Sequence, residues 1–208
     1  MGEVKLPRNF VSKYPHKFSK GKQQYLRGRR ILPAPITGKE SLPDLIDGAF
    51  LAYNGGRLQE ACRLFTEKMA KPKVTVGMSL AGAMTPAGLG AAVVVPLIKA
   101  GLVDWIVATG ANLYHDMHYA MNLPLYRGSP FSPDPELRRL GVVRIYDILL
   151  DYNDVLMATD HVLRQVLMQP EFQKEMGTTE LHYLLGKYCA EFEEQTGRKD
   201  SSLLAAAS

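Results

Sequence analysis

The chain has 208 residues, 46% of them hydrophobic and 22% charged, ordinary proportions for one globular domain or a domain with an arm. This excludes a disordered, collagen-like or disulfide-built chain, since Cys62 and Cys189 form no CxxC pair and point to a reducing, cytoplasmic setting. The net charge of +4 is uneven: residues 1–30 carry +8 and the other 178 carry −4.

The basic arm is interleaved with Phe10, Tyr14, Phe18 and Tyr25. That pattern suits docking on protein better than phosphate contacts, so nucleic acid is not the expected partner. No apolar segment follows the basic residues and no apolar run is long enough to span a bilayer, so neither a secretory signal nor a membrane span is expected.

Residues 31–43 hold three prolines and read as a linker, giving an arm over 1–40 and a domain over 41–208. Ser41, Pro43 and Asp44 carry a helix-start signal. A helix is expected over about 44–53, with Leu45, Ile46, Ala49, Phe50 and Tyr53 on its apolar face and Gly55-Gly56 ending it. A second helix is expected over about 58–70, with Leu58, Ala61, Cys62, Phe65 and Met69 inward.

The run Lys73–Ser79 reads as a buried strand, and Val103–Ala108 as the next strand. Between them lie a small-residue loop and an apolar helix over 91–100 that Gly101 closes. This is a βαβ unit with a parallel sheet. Residues 123–135, with four prolines, read as an irregular surface loop. Val142–Leu150 fits strand or helix. Helices are expected over 154–168, over 178–196 and from Ser201 to Ala207.

Two loops at the carboxyl ends of the strands are the candidate site. In the first, Gly77, Gly82, Gly88 and Gly90 either let backbone amides approach a phosphate at a helix start or allow tight helix-to-sheet packing. The second, Thr109–His118, would set Asn112, His115 and Asp116 toward the same crevice. His115 with Asp116 suits acid–base work. His115 and His118 also have metal-pair spacing, but too few ligands are local for a closed zinc site. Glu191, Glu193 and Glu194 read as a solvated helical face, and Lys99 and Lys187 as surface lysines.

The stretch VTVGMSLAGAMTPAGLGAAVVVPLIKAGLVDWIVATGANLYHDMHYA, followed by YRGSP and LRRLGVVRIYDILL, resembles deoxyhypusine synthase, closest to its bacterial and archaeal synthase-like branch. The resemblance runs over about 40–207. It implies an α/β fold with a Rossmann-like parallel sheet and flanking helices, incomplete here and preceded by a helical region. It also implies NAD as cofactor. The reaction would oxidise spermidine, form an imine with an enzyme lysine and pass the aminobutyl group to an acceptor. That acceptor is a lysine of the hypusine-bearing translation factor, or putrescine to give homospermidine.

By the same resemblance, Gly82, Ala83 and Thr85 fall in the first NAD loop. Thr109, Gly110, Ala111 and Asn112 fall in or beside the second, with His115 and Asp116 as substrate or cofactor contacts. Eukaryotic synthases carry glutamate where His115 stands. Family members are longer and assemble as homotetramers, and the half bearing the catalytic lysine has no counterpart here. The expectation is therefore part of a transferase that is inactive by itself. The alternative is a non-catalytic paralogue that pairs with or regulates a complete synthase.

Overall fold

A computed structural model describes residues 20–208 of the chain. The chain forms two compact units, divided between Lys68 and Met69. Phe10, Tyr14 and Phe18 lie outside the described residues. Tyr25 is exposed.

The first unit holds α1 (Lys20–Gln23), α2 (Leu42–Ala49) and α3 (Tyr53–Leu64), which a π turn over Phe65–Met69 extends. Ser41 caps α2 as expected: its hydroxyl oxygen accepts the Asp44 amide at 3.3 Å. Gly55 and Gly56 do not end that helix. They lie in the first turn of α3, because α2 already stops at Phe50 and the chain reverses through Leu51 and Ala52. Gly56 packs against this reversal: a Cβ there would sit 3.4 Å from the Leu51 carbonyl carbon, an ordinary contact distance. Tyr53 is almost fully exposed and has a positive φ, not the apolar-face position its spacing predicts. Arg63 Nε donates to Asp47 Oδ1 at 3.0 Å, and Gln59 Nε2 donates to Ile46 O at 2.9 Å, which ties the two helices.

The second unit opens with β1 (Gly77–Leu80) and β2 (Trp105–Ala108), shorter than the runs that predict them. They pair in parallel, Gly77 opposite Trp105 and Leu80 opposite Ala108. The parallel βαβ expectation holds. A Cβ on Gly77 would fall 2.1 Å from the Trp105 ring, so only glycine leaves room for the indole across the ladder.

Between the strands run a 3-10 turn (Thr85–Ala87), a π turn (Gly90–Val94) and α4 (Val95–Lys99). The Val95 amide reaches back to Gly90 O, so Pro96, which has no N–H, enters where the helix is already widened. Gly101, at φ +65, closes α4.

After β2 comes α5 (Gly110–Ala120), then β3 (Tyr126–Arg127) and α6 (Asp134–Leu140). Val142–Leu150 resolves as a hairpin, β4 (Val142–Ile145) and β5 (Ile148–Asp151), turning at Tyr146 with positive φ. With β3 it makes an antiparallel sheet in the order β3-β5-β4. The proline-rich loop thus contributes one short strand. A π turn (Tyr152–Met157) leads into α7 (Ala158–Leu167), followed by α8 (Thr178–Thr196) and α9 (Leu203–Ala206).

The core sits where α4, α5, α8 and α9 meet the parallel pair: Leu80, Val94, Val95 and Leu203 form one cluster, and Met117, Ala120, Cys189 and Leu204 the next. Burial pushes the Cys189 thiol up to about 12, so it packs as a small neutral side chain. Among the described residues the sheet is two strands wide, and Trp105 and Val107 of β2 face solvent. A groove of about 630 Å³ runs along β2, walled by Ile98, Leu113, Tyr183, Leu203 and Ser208. The fold is a small, incomplete Rossmann-like α/β arrangement with a helical region before it. Among the described residues no helix is long and apolar enough to cross a membrane.

Candidate functional site

Both candidate loops lie at the carboxyl ends of β1 and β2, and one side chain joins them. Asn112, in the first turn of α5, is fully buried. Its Oδ1 accepts the amides of Met84 at 2.7 Å and Thr85 at 3.2 Å. Its Nδ2 donates toward Gly82 O and Thr109 Oγ1 at 3.1 Å and Leu80 O at 3.2 Å. Thr85 returns the contact, its hydroxyl donating to Asn112 O at 2.7 Å. Thr109 closes the loop mouth by donating to Gly82 O. The sequence brings these residues together as expected, yet Asn112 and Thr85 stand behind the loop surface.

The surface itself is small and open. Gly82 holds φ +66, and space is clear where a Cβ would point, as it is at Gly110. The amides of Gly110 and Ala111 open α5 and have no intrahelical acceptor, so the helix end carries partial positive charge. An open, amide-lined mouth of small residues fits the phosphates of a dinucleotide.

Asp116 lies one turn after Asn112 and faces inward, with no exposed surface. Its carboxylate accepts from Ser202 Oγ at 2.5 Å, the Leu203 amide at 2.9 Å and the Leu204 amide at 3.0 Å, holding the start of α9. Burial raises it to about 6 although those three donors pull it down. Asp116 therefore does not share a crevice with His115.

His115 and His118 form a second stripe on α5. His115 Nδ1 lies 3.0 Å from His118 Nε2, and His118 Nδ1 lies 2.9 Å from Thr159 Oγ1 on α7. His118 is fully buried and His115 partly exposed. Burial lowers both imidazoles, His118 to about 4. The Tyr114 ring stands edge-on to both imidazoles, and its hydroxyl lies 2.7 Å from Asp160 Oδ1. Burial and the Asp160 carboxylate push the Tyr114 hydroxyl up, so it stays protonated. Among the described residues no cluster of three or more His, Cys, Asp or Glu could hold a metal ion.

Glu193 overturns the solvated-face expectation. Unlike Glu191 and Glu194 it is buried, and its carboxylate accepts the amides of Asp200, Ser201 and Ser202, the last at 2.7 Å. The stripe Leu185, Cys189, Glu193 at steps of four was the available signal: Glu193 continues an apolar face. Thr159 and Ser202 had no comparable signal, because their partners lie 41 and 86 residues away. Lys99 is exposed and pairs with Asp200 at 2.6 Å.

With this geometry in view, comparison with known proteins is specific. The family model for deoxyhypusine synthase matches residues 47–208. The chain is 55% identical over 177 residues to a deoxyhypusine synthase-like protein of Thermosynechococcus vestitus, covering 85% of this chain and 44% of that one. A deoxyhypusine synthase-like protein of a Nostoc species is 53% identical over 180 residues, 86% of this chain and 47% of that one. A probable deoxyhypusine synthase of Methanosarcina acetivorans is 39% identical over 127 residues, 58% of this chain and 40% of that one. The chain belongs to the deoxyhypusine synthase family. It spans less than half the length of these relatives.

Proposed function

We propose that the chain is the part of an NAD-dependent aminobutyltransferase that supplies the first two cofactor loops. The carrying observation is the pair of loops at the carboxyl ends of β1 and β2, stitched by Asn112, in a chain of this family. Gly82, Ala83, Gly110 and Ala111 would line the cofactor, while Thr85, Thr109 and Asn112 hold the loops in shape. His115 would meet substrate or cofactor, and Asp116 would serve it only by fixing α5 against α9. NAD, when bound, would take up hydride from the carbon beside a spermidine nitrogen.

The donor would be spermidine, and the acceptor a protein lysine or putrescine. The lysine that carries the aminobutyl group would come from outside these 208 residues. The open edge of β2 and its groove favour a complementary segment that completes the sheet, within a homotetramer or supplied by a complete synthase. Residues 41–208 would form this domain and 1–40 an arm over a neighbouring subunit, in the cytoplasm.

The test is an NAD titration of the chain alone and mixed with the remaining half of a full-length relative. It is followed by spermidine-dependent formation of reduced nicotinamide. We expect turnover only in the mixture. No NAD binding in either sample would end this reading, and binding without turnover would favour the non-catalytic paralogue.

A further inference from the structure

With both imidazoles neutral, the hydrogen-bond chain from α7 to His115 has only one consistent proton arrangement. Thr159 Oγ1 lies 2.7 Å from the Val155 carbonyl, which can only accept, so the threonine proton sits there. The hydroxyl must then accept from His118, which makes His118 Nδ1 the protonated nitrogen at 2.9 Å. Neutral His118 keeps its lone pair on Nε2. His115 Nδ1, 3.0 Å away, must therefore carry the proton between them. His115 Nε2 is left with a lone pair. Among the described residues no hydrogen bond is made to that nitrogen and no buried side-chain nitrogen or oxygen lacks a partner, so solvent reaches Nε2.

We propose that His118 and Thr159 are positioning residues that lock His115 as its Nδ1–H tautomer, presenting Nε2 as an acceptor for the N–H of an amine ligand. The amine part rests on the function proposed above, and the tautomer does not. A second proton could enter the pair only at His115 Nε2 without breaking a bond. A proton on His118 Nε2 would point at the proton of His115 Nδ1. The low value of His118, about 4, agrees with a buried ring that stays neutral. Tyr114 stands edge-on to both rings and limits their reorientation.

The test is two-bond proton–nitrogen NMR of the imidazoles in the ligand-free chain, where the protonated nitrogen of each neutral ring is read directly. Wild type should show the proton of His115 on Nδ1. Thr159→Val keeps the shape but removes the acceptor, so His118 should move its proton to Nε2 and His115 should follow, switching to Nε2–H. Thr159→Ser should keep the wild-type tautomer. Wild-type His115 with Nε2–H, or no switch in Thr159→Val, would overturn the lock. The wild-type spectrum decides even if that variant fails to fold. Spermidine should then shift the His115 Nε2 signal in wild type and much less in Thr159→Val. No shift would remove the amine assignment, whatever the tautomer.

Discussion

Two adjacent stripes of α5 carry buried polar residues and end differently. Asn112 and Asp116 give all their hydrogen bonds to this chain, to the strand-end loops and to the start of α9. His115 and His118 bond to each other and His118 to Thr159, and among the described residues the outer nitrogen of His115 has no partner. Burial and a perturbed pKa mark both stripes, so neither property separates structure from site. Unused bonding capacity does.

The sharpest way to break this comparison is to empty the first stripe. Asp116→Ala leaves the Ser202 hydroxyl and two amides facing a hole in the core. Stability to denaturant should fall by ~3–5 kcal/mol. A change under about 1 kcal/mol would mean that α9 is held by its apolar contacts alone.

The stripes should also respond to pH with opposite sign. His118, lowered from 6.5 to about 4, binds its proton more weakly folded than unfolded, so its contribution is present above 6.5 and lost as pH falls toward 4. Asp116, raised from 3.8 to about 6, contributes most below 3.8 and loses that contribution as pH rises through 6. Each is worth ~3 kcal/mol at most. In wild type the two contributions should partly offset each other between pH 4 and 6, with His115, also lowered by burial, adding to the acid side. Asp116→Asn should expose a loss toward acid and His118→Gln a loss toward neutrality. Two variants with the same slope would refute the assignment.

The next step down is Asn112. Asn112→Asp preserves shape and still accepts from Met84 and Thr85, but its second oxygen would face Gly82 O and Leu80 O. It should cost as much as Asn112→Ala, ~2–3 kcal/mol by thermal or chemical unfolding. An aspartate that behaves like wild type would show that only the acceptor half of the stitch matters.

These contrasts mirror what was legible in the chain. The parallel unit and both loops could be read because local signals agree there: β-branched runs and glycines at turns. The Gly55-Gly56 pair misled, because a helix stop and a helix start against a tight reversal use the same residue. His115 and Asp116 were legible as polar neighbours, but not as residues on different stripes. That separation depends on Ser202, 86 residues away, and on Thr159, 41 residues from His118. Pairings over such distances leave no periodic trace.

The smallest expected effect calibrates the rest. Lys99 Nζ and Asp200 Oδ1 are 2.6 Å apart, almost as close as Ser202 and Asp116 at 2.5 Å. Distance alone would rank the contacts together. Both ends of the ion pair are more than half exposed, so water competes for each charge and salt screens what remains. Lys99→Ala should cost less than ~0.5 kcal/mol, and the difference should vanish in molar salt. The Asp116 variant should lose the same amount at any ionic strength, because its partners are uncharged and shielded from solvent. If salt moved both variants alike, Asp116 would be acting as a charge in a field and not as the fixed acceptor that starts α9.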